Sequence, residues 1–389
     1  MKKRFAIYEL SLIIALLLGG CYPTGQNSVS KTESSDRSQS SQQEIQISDN
    51  FIFDMELPSD IPSETPAIKL TQKIWNKENI KQLFLSDKQI EEEEEHDIVL
   101  FPGEKFYRWK TEDQLAIVVE PGRFLYSDYA ELNGEYHYGT VIAYANDDSS
   151  LIDDCFATNE ELSAFSREDA EKRMEEMFGK LGIANFGNPR VIAVHCDLAN
   201  KLLPKMEGEP DKKSTPFEYT PWTENDEIYI LRYPLVYENK ELAMSCITYP
   251  YSDKSSGSAT RNPGIIAAVS KDKILLADAI TIFSENYETL ENMPVNCDAN
   301  QALGKLKEYL SNLVDNDLTK YYSCKPVYIP YIGTSDNMTV TFKTAWEFAG
   351  YSEHKFSEFS SSEDFFLNRG QLYEYFWTDT GHRYVEATG

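Results

Sequence analysis

Apolar residues fall at helical spacing in two stretches and in short strand-like runs almost everywhere else. Ala170, Met174, Met177, Phe178 and Leu181 recur at helical intervals behind Ser166 and Asp169, which have the spacing of a capping box. A helix is therefore expected over 167–181. Leu303, Leu306, Leu310 and Leu313 repeat the pattern behind Asp298 and Gln301, predicting a second helix over 299–314. A shorter helix is expected from Trp75 to Leu85.

Strand-like runs surround these helices. Leu115 to Val119 is continuously apolar, and Arg123 to Tyr129 and Tyr136 to Tyr144 flank Asn133-Gly134. Asn-Gly between two such runs predicts a hairpin, so residues 97–146 read as a small antiparallel sheet. After the first long helix come apolar runs at Val191 to Cys196, Glu227 to Tyr237, Glu241 to Tyr249, Gly264 to Val269 and Lys273 to Phe283. After the second come Pro326 to Ile332, Met338 to Phe348 and Gln371 to Ala387. A helix followed by antiparallel strands, twice, predicts an α+β fold of tandem modules, each with a helix packed on an antiparallel sheet. The expected division is a β-rich region over 67–160, one module over 161–290 and another over 291–389; one larger domain is the alternative. The acidic run Glu91 to Glu95 reads as a solvated loop or helix face, because a calcium loop needs alternating ligands.

The N-terminal pattern is different. Lys2, Lys3 and Arg4 precede an apolar stretch from Leu10 to Leu18, which ends in Gly19-Gly20-Cys21. The stretch is too short for the ~20 residues of a spanning helix but suits a signal peptide. Basic start, apolar stretch, small residues and cysteine together resemble the bacterial lipoprotein signal, the lipobox. The resemblance implies a signal peptide over 1–20, cleavage before Cys21 and a diacylglyceryl group on its sulfur, which anchors the chain to the lipid bilayer at the extracytoplasmic face of the cell membrane. Two acyl chains are what stable anchoring takes. Residues 21–66, dominated at first by Ser, Gln, Thr and Asn and then carrying Pro58, Pro62 and Pro66, are expected to form a disordered tether.

Charge narrows the partners. The chain has 37 basic and 64 acidic residues, a formal net charge of −27, and removal of the signal makes it more acidic still. Such a surface repels nucleic acid and anionic headgroups. Aromatic residues make up 13% of the chain, with 24 Tyr and 20 Phe, enough apolar mass for one or two packed cores. Five cysteines follow Cys21, at 155, 196, 246, 297 and 324, with no close spacing of the kind a metal cluster needs. Scattered buried thiols are the simplest reading.

The body carries a further resemblance. Leu181-Gly182-Ile183, Arg232-Tyr233-Pro234-Leu235 and Gly264-Ile265-Ile266 follow in order, then Pro330-Tyr331, Ala345-Trp346-Glu347-Phe348 and the terminal Tyr384 to Gly389. Over roughly 160–389 this order resembles the YycH/YycI-type and PepSY-like modules of Gram-positive bacteria, and more broadly it is similar to uncharacterised lipoproteins of Firmicutes. The resemblance implies helix-on-sheet modules with regulatory or binding duties in the cell envelope. YycH and YycI are held by a transmembrane helix, whereas this chain has a lipobox.

No catalytic motif appears. The five histidines, at 96, 137, 195, 354 and 382, make no ligand spacing, and there is no nucleophile elbow, P-loop or dinucleotide fingerprint. Neither cofactor nor metal is expected, and His195 reads as a core residue of an apolar strand. Tyr219, Trp222, Tyr249 and Tyr251 flank the first module's central strands, and Tyr331, Trp346 and Trp377 mark the second. These aromatics are the candidate binding surface, because Tyr and Trp combine large contact area with a polar tip; the alternative is that they pack the sheets. Two functions follow: a non-catalytic lipoprotein binding an envelope protein, peptide or wall component, or a secreted hydrolase with carboxylates assembled by the fold. Converging acids in a cleft would favour the second, and an exposed aromatic face the first.

Overall fold

A computed structural model describes residues 45–48, 50–59, 62–146, 157–158, 160–203, 219–243, 247–250, 258–261, 263–313, 318–331, 338–355 and 367–384. In chain order the first elements are β1 (Ile45–Ser48), β2 (Phe51–Phe53), β3 (Glu64–Thr71), α1 (Lys77–Leu85), β4 (Ile90–Asp97), β5 (Lys105–Thr111), β6 (Leu115–Glu120) and β7 (Arg123–Asp128). There follow α2 (Tyr129–Leu132), α3 (Tyr138–Asn146), β8 (Ala157–Thr158), α4 (Arg167–Leu181), β9 (Arg190–Val194), α5 (Cys196–Leu202) and β10 (Ile228–Tyr233). Then come β11 (Val236–Tyr237), β12 (Lys240–Glu241), β13 (Ile247–Pro250), β14 (Ser258–Arg261), β15 (Gly264–Ser270), β16 (Ile274–Ile280) and β17 (Glu288–Pro294). The last are α6 (Ala299–Ser311), β18 (Leu318–Pro330), β19 (Thr339–Lys355) and β20 (Leu367–Trp377).

These strands overturn the expectation of tandem α+β modules. The fold is mostly β, 44% strand against 23% helix, and its two large sheets cut across the expected segments. The nine-stranded sheet runs β4-β5-β6-β7-β16-β15-β10-β9-β8. Its β7–β16 ladder, with Tyr126 opposite Ala277, fuses the expected N-terminal β region to the first module. The seven-stranded sheet runs β1-β2-β18-β19-β3-β17, with β20 also on β19. It takes β1 and β2 from the stretch expected to be a tether, with β2 parallel to β18. Pairing partners as far apart as Tyr126 and Ala277, or Phe51 and Thr319, leave no local trace in a pattern of alternating side chains, which reports burial and not the neighbour.

Two features of the nine-stranded sheet explain its composition. Every residue of β6 and β10 is buried, because helices cover both faces. Ile117, Val119, Tyr229 and Leu231 face the side that receives α1 and α4, while Val118, Ile228 and Ile230 face the side that receives α2, α3 and α5. Strands covered on both faces read as continuous apolar runs. At its edge lies β4, almost wholly exposed. The Glu91 to Glu95 run is thus an edge strand and not a loop or helix face. Its carboxylates meet Lys77 and Lys81 of α1, Lys105 and Arg108, and charge along an edge discourages pairing with another sheet.

Local signals behave unevenly. In α4 the Ser166 hydroxyl accepts from the Asp169 amide, and Gly182 closes the helix at φ +62°, the left-handed cap that glycine supplies without strain. In α6 the capping box is complete, Asp298 and Gln301 each accepting the other's amide. The Asn133-Gly134 hairpin, by contrast, is absent. Asp128 caps α2, Asn133 ends it, and the expected second strand is helix α3. Tyr138, Val141 and Ile142 point into the core at helical spacing, so burial overrides the turn signal.

The sheets join at the β6–β7 turn. Gly122 donates to the Lys73 carbonyl at 2.8 Å and accepts from the Ile282 amide at 2.7 Å, while the Gln72 amide donates to Met338 at 2.7 Å. Ile68, Leu70, Val340 and Phe342 from the seven-stranded sheet share one core with Phe124, Ile117 and Tyr229. Gly122 sits at φ +67°, and a β-carbon there would lie 1.7 Å from the Gln72 Oε1 atom and 3.2 Å from the Ile282 carbonyl oxygen. Gly122→Ala should therefore destabilise the protein by about 2 kcal/mol, from left-handed strain plus overpacking. A urea unfolding midpoint equal to wild type would show that the junction yields freely.

Candidate functional site

One face of the seven-stranded sheet is internal. Trp346, Phe348, Cys324 and Phe376 pack on Leu303, Leu306 and Leu310 of α6, while Tyr328 and Phe342 reach the shared core. The opposite face carries Val327, Ile329 and Ala345, with Tyr373, Tyr375, Trp377 and Tyr384 over them. Alternation in β20 sends Tyr373, Tyr375 and Trp377 outward and Phe376 inward. A turn through Gly381, at φ +65°, brings Tyr384 back so that its amide donates to the Tyr375 carbonyl at 2.8 Å.

The result is a continuous chain of five rings. Tyr331 meets Trp377 at 6.0 Å and Trp377 meets Tyr384 at 5.7 Å. Tyr384 meets Tyr375 at 6.3 Å, and Tyr375 meets Tyr373 at 6.4 Å. The first three contacts are edge-to-face, at 78°, 88° and 84°, the orientation favoured by ring quadrupoles. Tyr331 is 45% exposed, and the Lys343 ammonium lies 3.8 Å from its ring centroid, within cation–π range. Lys343 also faces Asp379 at 3.9 Å.

A charged group completes this face. Lys325 bridges Glu241 and, at 3.6 Å, Glu347. Glu347 is buried to 3% exposure; burial pushes its carboxyl above the usual range and Lys325 pulls it back. Burial likewise holds the Cys324 thiol up at about 12, so it stays protonated and inert.

The seven aromatics expected at the surface divide sharply. Trp222 is buried among Tyr138 and its neighbours, its indole N–H donating to the Tyr136 carbonyl at 2.7 Å. Trp346 is fully buried and donates to the Cys297 carbonyl at 2.8 Å. Both are core residues, as the alternative held, and Tyr219 packs half-buried against the Trp222 cluster. Tyr249 belongs to β13, with its side chain outside the described set; Tyr251 and Cys21 lie outside the described residues. Tyr331 and Trp377 come together on the outer face of the seven-stranded sheet. Tyr373, Tyr375 and Tyr384 were missed, although the period-two spacing of 373, 375 and 377 is visible in the sequence.

Other chemistry resolves into structure. His195 follows β9 and stands at the N-cap of α5, half-exposed, so it is not a core strand residue. Its ring nitrogens face Glu160 at 3.2 Å and Glu227 at 3.5 Å. Glu227, the residue before β10, accepts from the Cys196 amide at 3.1 Å at the start of α5. Burial and the Glu227 carboxylate push the Cys196 thiol up, the reverse of what a cysteine nucleophile requires. Among the described residues, no group of three or more His, Cys, Asp or Glu is placed to hold a metal ion, and Cys196, Cys297 and Cys324 are free thiols. A cavity of about 370 Å³ at the start of α6 is lined by Pro58, Ser63 and Asp298, and the Asp298 carboxylate is already engaged by the helix cap. No described helix is long and apolar enough to cross a membrane.

No protein-family model matches the chain, and no curated protein matches it. Among solved structures, it is similar to an uncharacterized protein from Eubacterium rectale ATCC 33656, whose crystal structure was determined at 1.45 Å resolution. The TM-score is 0.61 at 16% identity, covering 88% of this chain and 92% of that one. The two share a fold. The class is thus a β-rich protein of two large sheets joined through one core.

Proposed function

We propose that this protein is a lipid-anchored, extracytoplasmic binding protein of the cell envelope, without catalytic activity, which contacts its partner through the outer face of the seven-stranded sheet. The observation that carries the reading is the five-ring chain ending at exposed Tyr331. Clustered Tyr and Trp on a sheet face are the material of protein and peptide interfaces, and the carboxylates beside this face, Glu241, Glu347 and Asp379, face Lys325 and Lys343. Leu18-Gly19-Gly20-Cys21 supports the anchor.

Cys21→Ala should abolish incorporation of labelled fatty acid and release the protein from the membrane fraction or leave it as precursor. Unchanged labelling of that variant would remove the anchor from this reading. Photo-crosslinking on intact cells, with the reactive group placed at position 331, should give a discrete envelope adduct. Hydrolysis of a wall glycan, peptide or ester by the purified protein, lost on one carboxylate substitution, would replace binding by catalysis.

A further inference from the structure

We propose that Glu347, Lys325 and Glu241 form a proton-operated clasp, which seats the β11–β12 hairpin on the seven-stranded sheet more firmly when Glu347 carries a proton. The hairpin belongs to the other half of the fold, since it follows directly on β10 of the nine-stranded sheet. Its turn, Glu238-Asn239, is left-handed at both residues, and the strand after it meets β18. The Ala243 amide donates to the Tyr328 carbonyl at 2.8 Å, and the Lys240 ammonium lies 5.0 Å from the Tyr328 ring centroid. Lys325 bonds the Glu241 carboxylate, so Glu241 is an ionic tie between the two sheets.

Glu347 stands behind that tie. It lies opposite Lys325 in the β18–β19 ladder, 3.6 Å from the ammonium. One ammonium therefore serves two carboxylates, one buried and one on the hairpin. Burial raises the Glu347 carboxyl above its ordinary range; Lys325 and the Tyr375 phenol lower it, and the Glu241 carboxylate raises it again. Burial also works against the Lys325 charge, but Glu347 and Glu241 more than offset it, so Lys325 stays an ammonium while Glu347 titrates. The Cys324 thiol, beside Lys325 on β18, feels the Glu347 charge as well and stays protonated.

Linkage gives the direction. If a seated Glu241 makes Glu347 harder to ionise, an ionised Glu347 makes Glu241 harder to seat, by the same free energy. Below its raised value the Glu347 carboxyl is neutral, and Lys325 is left to Glu241. As the pH rises through that value, a second negative charge appears beside Glu241 and competes for the same ammonium. The hairpin should therefore loosen as the pH rises. An ordinary Lys–Glu pair does the opposite, weakening in acid when its carboxylate is lost. The clasp is independent of what the outer face binds.

The test is hydrogen exchange of the purified protein, followed by mass spectrometry from about pH 5 to about pH 8, across the range a raised carboxyl can occupy. After correction for the intrinsic pH dependence of exchange, the segment 236–243 should lose about threefold in protection over that range, the scale of a half-exposed ion pair. Glu347→Gln keeps the shape of the protonated acid, so it should hold the segment at its acid level of protection throughout. Glu241→Gln removes the tie and should flatten the profile at a lower level. A wild-type profile that is flat or rises with pH, or an unchanged slope in Glu347→Gln, overturns the proposal. Should Glu347→Gln fail to fold, Glu241→Gln decides alone, because its side chain is 39% exposed and tolerates the change. An undiminished slope in that variant overturns the clasp.

Discussion

Leu306→Asp should leave the protein largely unfolded under conditions where wild type is stable. Leu306 is fully buried in the cluster formed by α6, Trp346, Phe348 and Phe376. A carboxylate there meets no cation among those neighbours, so it must either lose its hydration or take up a proton. The expected loss is about 4 kcal/mol or more, from lost apolar contact plus the buried charge, against a total stability of about 5–15 kcal/mol for a typical native protein. Leu313→Asp is the matched control. It sits in the same heptad-like row of leucines in the sequence, but α6 ends at Ser311 and Leu313 is 41% exposed. Its substitution should shift stability by no more than about 0.5 kcal/mol. Equal urea midpoints for the two variants would show that α6 does not lie on the sheet as described.

Asp278→Ala should cost nearly as much by a different route. Arg123 donates to Asp278 through Nε at 3.2 Å and Nη2 at 3.1 Å, and Glu120 stands 3.9 Å away. Burial works against the Arg123 charge, while Asp278 and Glu120 more than offset it, so the guanidinium holds its proton more firmly than usual. The Asp278 side chain is 1% exposed and that of Arg123 14%. Removing one partner of such a pair typically destabilises by about 3–5 kcal/mol, because the other is left charged and dry. Replacing both, as Arg123→Met with Asp278→Leu, should recover most of the loss, since the pair itself contributes little net stability. A double-mutant cycle in urea reads both effects. Additive losses would mean that Arg123 finds another partner when Asp278 is gone.

Helix α4 and helix α6 were legible in the sequence because a helix is a local object. Its caps, its apolar face and its termination by Gly182 all lie within about twenty residues of one another. The aromatic face was half legible. Tyr373, Tyr375 and Trp377 alternate in the sequence, but nothing local distinguishes their outward face from the inward one of Phe376. Tyr331 and Trp377 are brought together by the β18–β19 and β19–β20 ladders, where Ala345 stands between Val327 and Trp377. Trp222 and Trp346 show the converse, since composition cannot separate an aromatic in a core from one on a surface.

What the sequence determined alone was the order of apolar and polar positions, the two long helices α4 and α6 with their N-terminal caps, the acidic balance and the lipobox-like Leu18-Gly19-Gly20-Cys21. Each of these depends on residues close together in the chain or on simple sums over it. Tertiary structure decided the pairing of β7 with β16 and of β2 with β18, and hence the two large sheets in place of tandem modules. It also made Asn133-Gly134 a helix end and the glutamate run an edge strand. The physical reason is common to all of these. A backbone ladder is indifferent to which strand supplies the next partner, so the choice falls to burial on the sheet faces, and that is settled only when the distant elements meet.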